Sequence, residues 1–292
     1  MEERKDSTTV ETDSLELSIV IPVYNTPLTY VKECLESIDR AQIEYSYEII
    51  IVNDGSTDYE LMNFLKEYKN PYTIIIHEEN SGVSASRNIG LKQAKGDFLL
   101  CLDSDDKLLP AINDAITYLT NNKKYDIIYC DLQFFGDTDF LYKKCEFSKF
   151  QLMYVTNMLT LSSTLFRKKL VSKVLFNETL SYSEDRDFFS RAASLGFQFK
   201  HFKKPFCLYR RVFNNQSLSQ KNIGMKHEVE SLIKSQFNAH VEITPEEVNK
   251  YVINNFTAHK KHIIKLLLII FFPSLFSYFV SRKFYKNNIV ID

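Results

Sequence analysis

Glycine is scarce in this chain and tryptophan is absent: its 292 residues include seven glycines and no Trp. Gly55, Gly82, Gly90, Gly96, Gly136, Gly196 and Gly224 are spaced too widely for a G-x-G-x-x-G dinucleotide turn or a G-x-x-x-x-G-K-[ST] phosphate loop. Any nucleotide bound here is therefore held in another way. The five cysteines contain no Cys-x-x-Cys pair, which argues against a zinc ribbon and a disulfide framework and for a reduced compartment. Charge of one sign is lacking too. With 36 basic and 37 acidic residues the net charge is -1, and wholesale nucleic-acid binding is not expected. Residues 1–14 are polar and acidic without an apolar segment, and read as a disordered lead-in rather than a signal peptide.

What is present is an ordinary globular composition, 45% hydrophobic and 25% charged, in a chain long enough for one large domain with an appendage. Buried-strand runs alternate with helical spacing. Leu17 to Val23 predicts a strand ending at Tyr24-Asn25, and Val31, Leu35 and Ile38 mark a helix over Thr29 to Asp39. Glu48 to Val52 predicts a second strand, followed by Asn53-Asp54-Gly55-Ser56-Thr57-Asp58 and a helix through Leu61, Leu65 and Tyr68. Tyr72 to His77, Phe98 to Leu102 and Asp126 to Cys130 continue the β-α order, which predicts an α/β fold with a mainly parallel sheet and helices on both faces.

The run Phe98-Leu99-Leu100-Cys101-Leu102 stops on Asp103-Ser104-Asp105-Asp106. Lys95-Gly96 before it reads as a helix end with Gly96 in left-handed geometry. In an extended chain Asp103 and Asp105 share one side and can reach one cation, at the strand end where open α/β sheets bind ligands. An acidic turn that merely ends the strand is the alternative.

These segments together resemble the family 2 glycosyltransferases of GT-A fold. The resemblance rests on Leu17 to Asn25, Glu48 to Asp58, Asn80-Ser81-Gly82-Val83-Ser84-Ala85-Ser86-Arg87-Asn88-Ile89-Gly90 and Asp103-Ser104-Asp105, in the family's order, and covers roughly residues 15 to 215. It implies a nucleotide-sugar donor, Mg²⁺ or Mn²⁺, and inversion at the anomeric carbon. By the same resemblance Pro22, Tyr24 and Asn25 line the base pocket, and Asp54 accepts the N3-H of uracil or thymine. Arg87 is expected near the ribose or diphosphate, where a guanidinium suits phosphate geometry, the alternative being a surface arginine on an exposed helix. Asp103 is expected at the ribose or metal and Asp105 on the metal.

The acceptor hydroxyl needs a base. Ser183-Glu184-Asp185 opens a predicted helix with Phe188, Ala192 and Leu195 at helical spacing and Gly196 at its end. Acids in a first turn also suit the helix dipole without any catalytic duty. The family's Glu-Asp pair at this place implies Asp185 as general base, with Glu184 as neighbour or substitute. Many relatives carry a histidine after a Tyr-Arg run. Here Tyr209-Arg210-Arg211 leads to Ser217-Leu218-Ser219 without one. Either the metal has fewer protein ligands, or Arg210 and Arg211 take part of the diphosphate's charge.

The glycosyltransferase domain is expected over 15–224 and a helical region over 225–292. Thr244-Pro245-Glu246-Glu247 has the form of a capping box. Leu266 to Val280 spans 15 residues, short of the ~20 of a helical membrane span, with Lys260, Lys261 and Lys265 before it and Arg282, Lys283 and Lys286 after it. That pattern predicts an amphipathic, membrane-associated segment near 263–286, the alternative being a core or subunit contact. The expectation is a cytoplasmic enzyme, peripheral at the inner face of the cell membrane. It would transfer a sugar from a UDP- or dTDP-sugar to a glycan or lipid-linked acceptor in surface polysaccharide synthesis, with a homo-oligomer left open. A sugar-1-phosphate nucleotidyltransferase would want a glycine-rich N-terminal signature that Leu17 to Thr26 lacks. A non-catalytic nucleotide-sugar-binding subunit would not need Asp103, Asp105, Glu184 and Asp185.

Overall fold

Ile49, Ile50, Ile51 and Val52 are each at most 1% exposed, so the strand they form is covered on both faces, as β-branched runs are in parallel sheets. The computed structural model describes residues 15–154 and 159–212. The expected lead-in over 1–14, the boundary near 224 and the region 225–292 lie outside them.

The first half alternates as expected. Strand β1 (Leu17–Val23) leads to α1 (Leu28–Arg40), β2 (Tyr47–Asp54) to α2 (Tyr59–Glu67), and β3 (Thr73–Glu78) to α3 (Val83–Gln93). Then come β4 (Phe98–Cys101), β5 (Lys107–Leu108), α4 (Ala111–Asn121), β6 (Ile127–Cys130), β7 (Leu132–Gly136), β8 (Leu141–Tyr142) and α5 (Lys149–Tyr154). After a 3₁₀ turn at Leu161–Ser163 the chain forms β9 (Thr164–Arg167), α6 (Glu184–Ser194), β10 (Phe199–Phe202) and β11 (Cys207–Arg211).

Seven strands make the central sheet in the order β10-β6-β9-β4-β1-β2-β3. All its pairings are parallel except those of β9, which runs against β4 and β6. A second sheet has the order β5-β11-β7-β8. Helix α1 buries Val31, Cys34, Leu35 and Ile38, the apolar stripe its spacing predicts, and α4 does the same with Ile112, Ala115, Ile116 and Leu119. No described helix is long and apolar enough to cross a membrane.

Two glycines are set by close approach. A Cβ on Gly90 of α3 would lie 2.3 Å from Val20 Cγ1, so the helix rests directly on β1. Gly96 was expected in left-handed geometry, but it is not among the residues with positive φ. Its reason is contact: a Cβ there would sit 2.6 Å from the backbone of Leu17 and Ser18.

Candidate active site

The adjacent parallel strands β4, β1 and β2 end on the same edge of the sheet, with Val23 opposite Asn53 and Leu102 N donating to Val20 O at 2.9 Å. Their loops are therefore neighbours, and polar side chains join them. Asn25, with φ 47, accepts from Thr57 N at 2.8 Å and Asp58 N at 3.2 Å through Oδ1. Thr26 and Ser104 share a 2.7 Å hydrogen bond, which links the β1 loop to the acidic turn. Pro22 lies inside β1 and is buried, while the Tyr24 ring beyond it is 52% exposed. Asp54 is buried at the end of β2, where Oδ1 accepts from Ser81 N at 2.7 Å and Oδ2 from Gly82 N at 3.0 Å. Oδ1 also accepts from Ser81 Oγ at 3.4 Å, so Asp54 holds the N-terminus of α3, and Oδ2, with one hydrogen bond, keeps acceptor capacity.

The Asp103–Asp106 stretch is not extended. Asp106 N donates to Asp103 O at 3.0 Å, so the chain reverses as β4 ends, and the same-side argument for an extended strand does not apply. The turn itself crowds the carboxylates. Burial and the nearby Asp103 charge push the Asp105 carboxyl up to about 6. Buried Asp106 is raised for the same reason, by burial and then by Asp105 and Asp103. Its Oδ1 accepts from Arg210 N at 2.8 Å, while Oδ2 is buried without a partner. Such a group of carboxylates suits a hard cation. Among the described residues no cluster of three or more His, Cys, Asp or Glu is arranged to hold one. A cation held by Asp103 and Asp105 would complete its shell from donor oxygens and water.

Arg87 is 4% exposed, not on an open helix face. Its Nη2 donates to Asp103 Oδ1 at 2.7 Å and its Nη1 to Glu184 Oε1 at 2.9 Å. The guanidinium is thus committed to two protein carboxylates rather than left free for a diphosphate. Glu184 and Asp185 open α6 as expected, after Ser183 in a left-handed conformation at φ 57. Asp185 is half-buried and accepts from Arg186 N at 2.7 Å.

Arg210 also differs from expectation. Its Nε donates to Asp105 O at 2.7 Å, and its guanidinium carbon lies 3.9 Å from the Tyr30 ring centre and 4.4 Å from that of Phe135. It fixes the acidic turn and pairs with Glu33, which Lys107 also reaches at 2.9 Å. Arg211 is exposed on β11. Other supports had little signal in the chain. Ser162 accepts from Asp103 N at 3.0 Å, and nothing in its surroundings marks it. Asn88, next to Arg87, pins Phe176 through its N and O atoms at 2.8 and 2.9 Å, and the Arg-Asn pair within the third motif could have pointed to it.

The model of "Glycosyl transferase family 2" matches residues 18–212. The chain is a family 2 glycosyltransferase. An uncharacterised glycosyltransferase of Methanocaldococcus jannaschii is 29% identical, over 72% of this chain and 76% of that protein. The hyaluronan synthase of Pasteurella multocida is 27% identical over 94% of this chain, which spans 30% of that longer enzyme. Among solved structures, S. aureus TarS 1-349 in complex with UDP-GlcNAc superposes with a TM-score of 0.65 at 18% identity, over 86% of this chain and 76% of that one. At that identity the similarity shows the fold, and the fold is the expected mixed α/β arrangement of this glycosyltransferase. The family match favours a transferase over the nucleotidyltransferase alternative.

Proposed function

We propose that this transferase moves a sugar from a UDP- or dTDP-sugar to a hydroxyl of a glycan acceptor, with inversion at the anomeric carbon. One observation carries the reading. The acidic turn after β4, tied to the β1 loop by Thr26, is joined through Arg87 to the acidic start of α6, with ion pairs of 2.7 and 2.9 Å. Inverting transfer needs a charge-stabilised leaving group on one side of the sugar and a base on the other, and these two acidic segments meet that need.

In this reading Tyr24 offers its exposed ring to the base, Pro22 and Asn25 shape the loop beneath it, and Asp54 accepts the base N3-H. Asp103 and Asp105 would hold Mg²⁺ or Mn²⁺, which when bound would offset the charge that builds on the leaving diphosphate. Arg211 adds positive charge from β11. Asp185 takes the proton from the acceptor hydroxyl as that oxygen attacks the anomeric carbon opposite the diphosphate. Glu184 holds Arg87 and so fixes the helix end that carries the base.

The domain is proposed to cover 15–224. The apolar run Leu266 to Val280, with lysines and arginines on both sides, supports a peripheral place at the inner face of the cell membrane and a lipid-linked acceptor in surface glycan synthesis. The TarS complexes titled with UDP and UDP-GlcNAc make uridine donors the first to test. The experiment is a thermal-shift series over UDP- and dTDP-sugars with Mn²⁺, followed by assay of nucleotide release. A ligand at 100 times its Kd stabilises by about 2.7 kcal/mol, which a melting curve resolves. If no nucleotide-sugar raises the melting temperature and none is turned over, the donor reading fails.

A further inference from the structure

Arg87 makes both ion pairs from a side chain only 5% exposed. Its Nε is buried without a hydrogen-bond partner, and the Phe176 ring lies 5.6 Å from the guanidinium carbon. The cation therefore cannot turn to solvent, and Asp103 and Glu184 are the carboxylates that compensate it. Those two carboxylates have different second duties. Asp103 borders Asp105 in the turn assigned above to the metal. Glu184 is the first residue of the helix that carries Asp185.

We infer that Arg87 is a positioning residue that couples the two ends of the site: a divalent cation engaging Asp103 transfers the guanidinium's pairing onto Glu184 and so secures the start of the base-bearing helix. The inference rests on the metal reading above. A cation arriving at Asp103 competes with Arg87 for the same negative charge. Arg87 can yield only if another carboxylate is at hand, because a buried charge left without a counter-ion is strongly unfavourable. Glu184 is that carboxylate. Coupling of this kind is reciprocal, so whatever removes Glu184 must weaken cation binding at Asp103, although Glu184 never touches the ion.

The test is a double-mutant cycle on Mn²⁺ affinity, read by electron paramagnetic resonance of the free ion with UDP at one fixed concentration. The proteins are the full chain, Glu184→Gln, Arg87→Gln and the double variant. Glu184→Gln is expected to weaken Mn²⁺ binding about tenfold, within the roughly 5- to 150-fold range of site-to-site couplings. Arg87→Gln should tighten it by removing the competing cation, and adding Glu184→Gln to that variant should change little further. Equal effects of Glu184→Gln in both backgrounds would mean that it acts through its field alone, and would overturn the coupling. Hydrogen exchange gives a second reading that does not need the Arg87 variant to fold. Mn²⁺ should raise protection of the amides in the first turn of α6 in the full chain and not in Glu184→Gln, and equal protection in both would also overturn it. If the unaltered chain binds no Mn²⁺, the metal reading falls and takes this inference with it. If Mn²⁺ binds and the cycle is additive, only the coupling falls.

Discussion

Replacing Arg210 by Met should cost this protein a large part of its stability, because its guanidinium is bound up in protein contacts. The methionine keeps an apolar stem between Tyr30 and Phe135, so the change removes mainly the guanidinium. Lost with it is a charged hydrogen bond of 2.7 Å to Asp105 O, worth about 1.5–3 kcal/mol. Lost too are two cation–π contacts at 3.9 and 4.4 Å, at about 0.5–1 kcal/mol each. The Glu33 pair adds little, since that carboxylate is 42% exposed and keeps Lys107 at 2.9 Å. The sum is about 2.5–5 kcal/mol, against the roughly 5–15 kcal/mol of a whole domain. Urea denaturation with an unchanged slope measures it. Because the same guanidinium fixes Asp105 O, Mn²⁺ affinity should fall alongside. A loss below about 1 kcal/mol with Mn²⁺ affinity intact would show that the clamp under the acidic turn is not what holds it.

Asp105 supplies a pH dependence. Its carboxyl is raised to about 6 in the fold, above its ordinary value, so ionising it disfavours the metal-free fold. Metal-free stability should therefore fall as pH rises from about 4 through 6, and Mn²⁺ affinity should rise over the same window as the proton leaves; Asp105→Asn should reduce both trends in paired melting and binding curves, with the raised Asp106 keeping part of the first. Gly90→Ala should destabilise by about 1–3 kcal/mol, because its Cβ would meet Val20 Cγ1 at 2.3 Å and α3 must move off β1; an unchanged urea midpoint would refute that packing.

Much of the first half of the fold was legible because its elements are local and their patterns strong. Leu17 to Val23 is both the predicted and the observed β1, and the helix predicted to open at Ser183-Glu184-Asp185 is α6, which starts at Glu184 after Ser183. What escaped depends on distant partners. Strand β9 is four residues long and is made a strand by pairing antiparallel with β4 and β6, which nothing in Thr164-Leu165-Phe166-Arg167 announces. The second sheet joins Lys107–Leu108 to Cys207–Arg211 across a hundred residues of chain, beyond the reach of periodicity. The alternation of Asp103 and Asp105 suits an extended strand, whereas the Asp106 N to Asp103 O bond reverses the chain there. The third motif singles out Arg87. Its partners were not legible, since Asp103 lies 16 and Glu184 97 positions further along the chain.

The central claim is that donor chemistry at the β4 turn is driven by a base at Asp185. It is tested most directly by the rate of UDP release from a UDP-sugar, with water as acceptor and Mn²⁺ present, in the unaltered chain and in Asp185→Asn. The account predicts release that is slower by about 10²–10⁴ in the variant, the usual share of a positioned base, with donor affinity unchanged because the proposed base serves the acceptor and not the donor. Equal rates in the two proteins, or a variant that loses donor affinity while its saturated rate holds, would contradict it.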